Sequence, residues 1–165
     1  TGEAQQLFDS EIMAELAAFC TGSWATSAET DAGSGSWEAA ACRCLQDLEI
    51  LEPDWLALLK QWEQAPELLS FAPQDPEKLE RIAVYFAFRY LLKAVNDGDL
   101  LGRAQFCALG VLVTDRLSRF VGLPEALRLF SREIEHNGDN LDTLLEQFWQ
   151  TEGLSLSALL AAFGG

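Results

Sequence analysis

The chain has 165 residues, of which 49% are hydrophobic, and its 26 acidic residues outnumber 11 basic ones for a net charge of −15. This length predicts one domain with its own core, and the apolar content excludes the disordered class. The excess of carboxylates excludes nucleic acid and anionic lipid as partners and favours a basic protein surface. The alternative is that the acidic residues only keep the domain soluble.

Neither a membrane span nor a targeting segment is predicted. The longest apolar run, Ile82 to Val95, is too short to cross a bilayer and contains Arg89 and Lys93. The first residues, TGEAQQLFDSE, have no basic stretch followed by an apolar one, as a signal peptide would. Because they begin without a methionine, we expect a part of a longer chain, and we expect it to be cytoplasmic.

The four cysteines do not have the spacing of a zinc site, which normally shows two close pairs. Cys42 and Cys44 are one such pair, whereas Cys20 and Cys107 are isolated. Each lies on a predicted apolar helix face, where free cysteine packs as a small hydrophobic side chain. Reduced, buried thiols are therefore predicted, and no metal site.

The first part of the chain predicts a helix over residues 1–20 and a flexible loop over residues 21–36, ahead of a helical bundle over residues 37–165. The loop is rich in Ser, Thr, Gly and Ala. The helix proper covers about Glu3 to Cys20. Its predicted inner face consists of Leu7, Ile12, Leu16, Phe19 and Cys20.

Two further helices follow the loop. One is predicted from Trp37 to about Leu51 with Ser36 as its N-cap, and the next from Pro53 to Gln64.

The next two helices are predicted to form the centre of the bundle. Asp75 caps the first, which runs to about Asn96 and is apolar nearly all round from Ile82, so it should be buried. In the turn NDGD, Gly98 supplies the left-handed conformation and Asp99 caps the second helix, about Leu100 to Phe120. Two apolar helices joined by so short a turn predict a central antiparallel hairpin.

The rest of the chain completes an all-α, single-domain bundle of seven or eight helices. A helix starts at GLPEAL and ends at HNG, another is capped by Asp139 or Asn140, and Ser155 opens a last one to Phe163. No stretch shows the sustained alternation that is typical of strands.

Polar residues interrupt the apolar surface of the central helices. Tyr85, Arg89 and Lys93 recur every fourth residue on the first, and Asp115 lies on a small-residue face of the second. An unpaired buried charge costs several kcal/mol in practice, so we expect Arg89 to pair with Asp115 or with Glu133. The pattern indicates either a polar seam that fixes the packing or the floor of a ligand pocket. The candidate residues are Tyr85, Arg89, Tyr90, Lys93, Asp115, Arg132, Glu133 and His136.

His136, the one histidine of the chain, lies in SREIEHNGDN. A di-iron carboxylate site needs a second histidine, and a catalytic triad needs a nucleophile that the local spacing does not supply. His136 is predicted on the polar side of its helix, near the C-terminus, where the helix dipole favours its protonated form. The sequence therefore predicts no metal at His136.

Two segments together carry a family resemblance: YFAFRYLLKAVNDGDLLGRAQFCAL and LFSREIEHNGDNLDTLLEQF. They resemble the C-terminal half of bacterial flagellin lysine N-methylase-like proteins, over roughly Leu79 to Phe163. The matching polar positions are Arg89, Tyr90, Lys93, Asp97, Asp99, Ser131, Arg132, Glu133, Glu135, His136 and Asn140.

The resemblance implies a role in methyl transfer from S-adenosylmethionine to flagellin lysines. Family members also carry a cysteine-rich N-terminal region that resembles a metal-binding one, and this chain has no such region. We therefore expect no cofactor in this chain, with S-adenosylmethionine and a metal centre bound elsewhere in a full-length parent and flagellin as the partner. The alternative is a non-catalytic, acidic helical module that binds a protein or serves as structure.

Overall fold

In the computed structural model, the structure describes residues 36–65 and 75–163, and every regular element in these ranges is helical. Single turns, 3₁₀ at Leu91–Lys93 and Glu152–Leu154 and π-helical at Ser131–Glu135, connect some of the helices. The predicted all-α bundle is confirmed. The helices are α1 (Trp37–Gln46), α2 (Pro53–Gln64), α3 (Pro76–Tyr90), α4 (Ala94–Asp97), α5 (Leu100–Val121), α6 (Leu123–Phe130), α7 (Gly138–Phe148) and α8 (Leu156–Ala161).

Some predictions fall outside these ranges. The helix predicted over residues 1–20, most of the loop over residues 21–36 and the cysteine at position 20 lie outside the described residues. Of the other cysteines, Cys42, Cys44 and Cys107 are buried, as predicted.

α5 runs through the core of the bundle. Sixteen of its 22 residues are buried, and it contacts α2, α3, α6, α7 and α8. A helix that contacts other helices on all sides exposes no side to solvent, which agrees with the apolar residues found nearly all round α5. The burial predicted for α5 is confirmed.

α3 packs on α5 through aromatic side chains and a glycine. Phe86 is fully buried, and a Cβ atom at Gly110 would lie only 3.0 Å from its Cζ atom. One turn later in α3, the Tyr90 ring centroid lies 4.6 Å from that of Phe106, at the edge-to-face angle that aromatic rings favour. Phe86 also contacts Phe130 of α6 at 5.7 Å, so the three helices share one aromatic cluster.

Two predicted caps are present. Asp75 accepts a hydrogen bond from the Lys78 N–H at 3.1 Å at the start of α3, and Asp99 accepts one from Gly102 at 2.8 Å at the start of α5. Each carboxylate satisfies a helix N–H that has no partner within the helix. Gly98 has a φ of 76°, the left-handed conformation that the sequence predicts there.

The prediction that the helix after Asp75 is buried on nearly all sides and continues to Asn96 is wrong. α3 ends at Tyr90, and the 3₁₀ turn and α4 carry the chain on to Asp97. The inner side of α3 packs on α5, but Phe88 on the outer side is 72% exposed. Hydropathy indicates how much apolar surface a helix has, and not how many neighbours cover it.

α1 ends at Gln46 rather than near Leu51. The residues that follow leave the helix because other elements satisfy their backbone groups. The Asn140 side chain accepts from Glu49 N–H at 3.0 Å and donates to Glu49 O at 2.8 Å. Ser36 does not cap α1, since its hydroxyl oxygen accepts no hydrogen bond from the helix N–H groups, and the hydroxyl donates to the Glu38 carboxylate.

α6 and α7 differ from their predicted ends in a similar way. α6 stops at Phe130 and a π-helical turn follows, where a continuous helix was predicted. α7 is capped by Asn137, which accepts from the Asn140 N–H at 3.2 Å, and not by Asp139 or Asn140. Ser155 caps α8, as predicted, by accepting from Ala158 at 3.3 Å.

Within the described ranges, no helix has both the length and the hydropathy that crossing a membrane requires.

Candidate functional site

A π-helical turn after α6 places Glu135 against α3. In this turn the His136 N–H donates to Ser131 O at 2.9 Å, five residues back, where an α-helix would pair residues four apart. The wider turn changes the direction of the side chains that follow Phe130. Glu133 and Glu135 therefore have entirely different surroundings, although they are two residues apart.

Glu135 is the centre of a hydrogen-bonded group on the side of α3. Its Oε1 atom accepts from the Tyr85 hydroxyl at 2.9 Å and from the Tyr90 hydroxyl at 2.8 Å. The Arg89 Nε atom lies 3.5 Å from the same oxygen and donates to the Tyr90 oxygen at 3.2 Å. The Lys93 ammonium lies 5.2 Å from the centre of the Tyr90 ring, a cation–π contact. We call Tyr85, Arg89, Tyr90, Lys93 and Glu135 the Glu135 cluster.

The electrostatics of this cluster keep its phenols neutral. Burial, and secondarily the hydrogen bond to Glu135, raises the pKa of Tyr85. Burial also raises the pKa of Tyr90, and the bond to Glu135 adds to this while Arg89 opposes it. At neutral pH both hydroxyls therefore donate to the carboxylate and supply no nucleophile. The cluster therefore connects α3 to the turn after α6 by two hydrogen bonds and an ion pair.

Glu133 is fully buried and lies apart from this cluster. Its two carboxylate oxygens accept from the backbone N–H groups of Leu51, at 2.9 Å, and Glu52, at 2.7 Å. The Asn140 side chain donates to the Glu133 carbonyl at 2.9 Å. Glu133 thus holds the connection between α1 and α2, and the predicted pairing of Arg89 with Glu133 is wrong.

Asp115 pairs within its own helix. Its Oδ2 atom lies 2.7 Å from Arg116 Nη1 and 3.4 Å from Arg119 Nη2. The Arg116 guanidinium also lies 5.5 Å from the centre of the Trp37 ring, which connects α5 to α1. Asp115 is buried, as predicted. Its predicted pairing with Arg89 is wrong, because its carboxylate pairs with Arg116 and Arg119 of its own helix.

Arg132 and His136 are on the surface. Arg132 Nε lies 2.6 Å from a Glu52 carboxylate oxygen, and its side chain is 62% exposed. His136 Nδ1 lies 3.0 Å from Ser131 O and 3.1 Å from its Oγ atom. Neither residue contacts the Glu135 cluster within the described structure.

The eight candidate residues therefore separate into four environments, and only Tyr85, Arg89, Tyr90 and Lys93 come together. The sequence prediction omitted Glu135 from the candidates. Its signal was present, since SREIEH places two carboxylates two residues apart, but only the π-helical turn decides which of them faces α3.

The described residues contain no group of three or more His, Cys, Asp and Glu side chains that could hold a metal ion. A shallow groove of about 480 Å³ lies between α2 and the adjoining ends of α5 and α6, away from the Glu135 cluster. Its lining includes Asp54, Ala57, Lys60, Gln61, Val121 and Glu125.

The outer side of α3 and the turn after it presents apolar side chains to solvent. Val84 is 43% exposed, Tyr85 44%, Phe88 72%, Leu92 63% and Val95 86%. We call these residues the outer face. Their spacing places them on one side of the helix, with Arg89 and Lys93 along one edge. The hydropathy of this run predicts a buried helix, and that prediction is wrong for these side chains.

Comparison with known proteins does not identify a family, since no family model, no curated protein and no solved structure matches this chain. The resemblance to flagellin lysine N-methylase-like proteins therefore stays a prediction from its motifs.

Proposed function

We propose that this chain is a non-catalytic protein-interaction module that binds an amphipathic helix with an acidic edge on the outer face of α3. The observation that carries the proposal is the exposure of Phe88, Leu92 and Val95 along one side of the helical stretch formed by α3, the 3₁₀ turn and α4, while the inner side of α3 packs on α5. On soluble proteins, contiguous apolar side chains that stay exposed commonly mark a site where another protein or a ligand binds.

The outer face is large enough to support binding of modest strength. Burying a Val, Leu or Phe side chain completely gains about 1.5–3 kcal/mol, and these side chains are already partly covered. Association costs at least about 4 kcal/mol in lost freedom of motion. Five partly exposed side chains therefore leave at most about 5 kcal/mol after that cost, which supports a Kd on the order of 0.1 mM, since a Kd of 1 mM corresponds to about 4 kcal/mol.

The edge of the outer face favours an acidic ligand even though the chain as a whole is acidic. Lys93 has no carboxylate partner within the described structure, and Arg89 is 42% exposed beside it. At physiological ionic strength, charges more than about 8 Å apart in solvent are largely screened. Glu135 pairs with Arg89 at 3.5 Å, so the positive charge that outweighs distant carboxylates at this edge is chiefly that of Lys93.

The Glu135 cluster has a role in this proposal. It fixes the side chains of Tyr85 and Arg89 at the border of the outer face by hydrogen bonds to a carboxylate that is itself only 4% exposed. Side chains that are already ordered lose less conformational entropy when a ligand binds. An amphipathic helix laid against an apolar helix face is a common mode of peptide recognition.

The test is a titration with a labelled synthetic peptide that forms an amphipathic helix, with Leu and Ile on one side and Glu along one edge. We expect the fluorescence anisotropy of the peptide to rise with the full chain and to stay flat with Phe88→Asp. Trp149→Asp is the matched control, because Trp149 is 70% exposed on a different helix end. Equal binding by the wild-type chain and Phe88→Asp would refute the proposal.

The resemblance supports a second candidate, in which this chain is the helical domain of a parent that methylates flagellin lysines. The observation in its favour is that Arg89, Tyr90, Lys93 and Glu135, all of them positions of the quoted motifs, lie in one cluster. In this case, lysine-rich flagellin would dock on the acidic remainder of the surface. Intact-mass measurement of flagellin from cells with and without the parent gene tests it: deletion should remove mass in methyl-sized steps, and an unchanged mass would exclude it.

A further inference from the structure

We propose that the chain's own N-terminal segment, Glu3–Cys20, is a ligand of the outer face of α3 and occupies it in competition with any partner helix. The proposal rests on the proposed binding function of that face. It identifies one ligand of the face as a segment of the same chain.

The sequence of this segment has the two properties that a ligand of the outer face needs, an apolar side and negative charge. Its helical periodicity places Ile12, Leu16 and Phe19 on one side. The segment carries Glu3, Asp9, Glu11 and Glu15 and no basic residue, so its charge is entirely negative. It is thus an acidic amphipathic sequence in the same chain as an apolar face with a basic edge.

The charged positions also match in spacing. Glu11 and Glu15 are four residues apart, next in sequence to Ile12 and Leu16, and Arg89 and Lys93 are four residues apart beside the outer face. Four residues in a helix correspond to about 6 Å along its axis. Each glutamate of the pair can therefore meet one of the two cations while the apolar sides are in contact.

The connecting chain is long enough. The described structure begins at Ser36, next to Trp37, whose ring lies 5.5 Å from the Arg116 guanidinium of α5. Phe86 of α3 packs at Gly110, six residues away in α5 and so about 9 Å along the helix axis. Residues 21–35 can span about 50 Å when extended, which exceeds this distance and the width of α3 together.

Tethering makes the segment a strong competitor. A tether of 15 residues can hold a ligand at an effective concentration on the order of a millimolar. With a Kd on the order of 0.1 mM for the outer face, the segment would weaken the apparent affinity of a free helix by roughly tenfold.

A second copy of the chain is the main competing occupant, and the charges disfavour it. A twofold pair brings the same surface patch of both subunits together. The edge formed by Arg89 and Lys93 would then approach its own copy, and like charges in contact destabilise an interface.

The test uses the full chain with one added cysteine on the outer face, either Val84→Cys or Val95→Cys, and a flexible bismaleimide that links it to Cys20. The other cysteines of the chain, Cys42, Cys44 and Cys107, are buried, so Cys20 is the intended partner. We expect an intramolecular link, identified by peptide mapping, at a rate about tenfold above that of the Trp149→Cys control. Ile12→Asp combined with Leu16→Asp should reduce it to the control rate.

Lys93→Glu gives a second variant that leaves the packed side of α3 untouched, because Lys93 is exposed. It should lower the linking rate, and reversing the one glutamate that faces position 93, tested separately as Glu11→Lys and as Glu15→Lys, should restore it in the same chain. Links between two chains, or equal rates at the outer face and at Trp149→Cys, would overturn the inference.

The peptide titration distinguishes this failure from that of the proposed function. If the inference holds, the synthetic peptide should bind the Ile12→Asp, Leu16→Asp variant at least about tenfold more tightly than the wild-type chain. Peptide binding that depends on Phe88 but is the same in both chains would leave the outer face as a site for an external helix and reject the N-terminal segment. Absence of binding in both chains would reject both proposals.

Discussion

α3 and α5 are neighbours that look alike in sequence and differ in their surroundings. α5 is apolar on nearly every side, as α3 is from Ile82 onward, and a short turn through α4 and Gly98 connects them. Helices pack around α5 on all sides, whereas α3 packs along one side and leaves Phe88, Leu92 and Val95 in solvent. An all-round apolar helix therefore indicates either the centre of a fold or a surface that a ligand has still to cover.

The ion pairs of the two helices differ in the same way. Asp115 of α5 and both of its arginine partners have side chains less than 10% exposed. Glu135 beside α3 is as well covered as Asp115, but Arg89 opposite it is 42% exposed. Pairs on α5 should matter for stability, and the pair on α3 for the shape and charge of a surface.

The largest expected effect is that of Phe86→Ala. Phe86 is fully buried against Gly110, Phe106 and Phe130, so its removal leaves a cavity between three helices. We expect the free energy of unfolding to fall by about 3–5 kcal/mol in a urea titration. Phe88→Ala, two residues away, is the control and should cost less than about 1 kcal/mol. Similar losses for both variants would contradict the distinction between the two sides of α3.

Asp115→Asn should have the next largest effect. The change removes the negative charge that lies between the buried Arg116 and Arg119 guanidinium groups, although Glu38 stays 3.9 Å from Arg116, and breaking a buried pair typically costs about 3–5 kcal/mol. The amide can still accept one hydrogen bond, so we expect the lower end of this range, measured by urea unfolding. The control is Glu77→Gln, which breaks an exposed pair with Arg81 at 2.6 Å and should cost less than about 0.5 kcal/mol. A loss at Asp115 as small as that at Glu77 would show that water reaches the pair on α5.

The third prediction concerns alkaline pH. Both tyrosines of the chain belong to the Glu135 cluster, and the pKa of each is raised, chiefly by burial. The folded chain therefore keeps these protons at pH values where the unfolded chain has lost them. The free energy of unfolding should fall as the pH rises above about 10, the ordinary pKa of tyrosine, by at most about 1.4 kcal/mol per pH unit for a single group.

Tyrosinate absorbance measures this directly, since no tyrosine lies elsewhere in the chain. The absorbance of the folded chain should rise at a higher pH than that of the chain in urea. Tyr85→Phe is the control, because the remaining signal then belongs to Tyr90, which is 1% exposed. Coinciding titrations of the folded and denatured chain would show that the cluster opens to solvent.

Much of the fold could be predicted from local chemistry. Asp75, Gly98, Asp99 and Ser155 act where the sequence places them, because a helix cap depends on a few neighbouring residues. α1 instead ends early because Asn140, 91 residues away from Glu49, binds the backbone there. No local pattern contains such a contact.

The candidate site was predicted less well than the fold. Tyr85, Arg89, Tyr90 and Lys93 do lie together, since spacing along one helix brings them to one side. Their common partner could not be chosen, because a single wide turn decides whether Glu133 or Glu135 faces α3. The exposure of the outer face could not be predicted either, since it depends on where the other helices pack.

The smallest expected effect is that of Arg89→Ala. Pairing with a buried carboxylate on α5 or with Glu133 would make this loss several kcal/mol, as the sequence predicts. Its partner is instead Glu135, which keeps the hydroxyls of Tyr85 and Tyr90 as donors at 2.9 and 2.8 Å when the guanidinium is removed. A half-exposed ion pair contributes up to about 1 kcal/mol, so urea unfolding should show a loss of that size.

Arg81→Ala is the control on the same helix, because its pair with Glu77 is fully exposed, and it should cost less than about 0.5 kcal/mol. A loss above about 3 kcal/mol at Arg89 would mean that Glu135 depends on this charge and is not satisfied by the phenols.

Peptide binding should respond to Arg89→Ala more than the free energy of unfolding does. Arg89 is one of the two cations at the edge of the outer face. Arg89→Ala should therefore lower the affinity for the acidic helical peptide severalfold, and this loss of affinity should become smaller as salt is added. A salt-independent loss of peptide binding would indicate that Arg89 contributes by packing and not by charge.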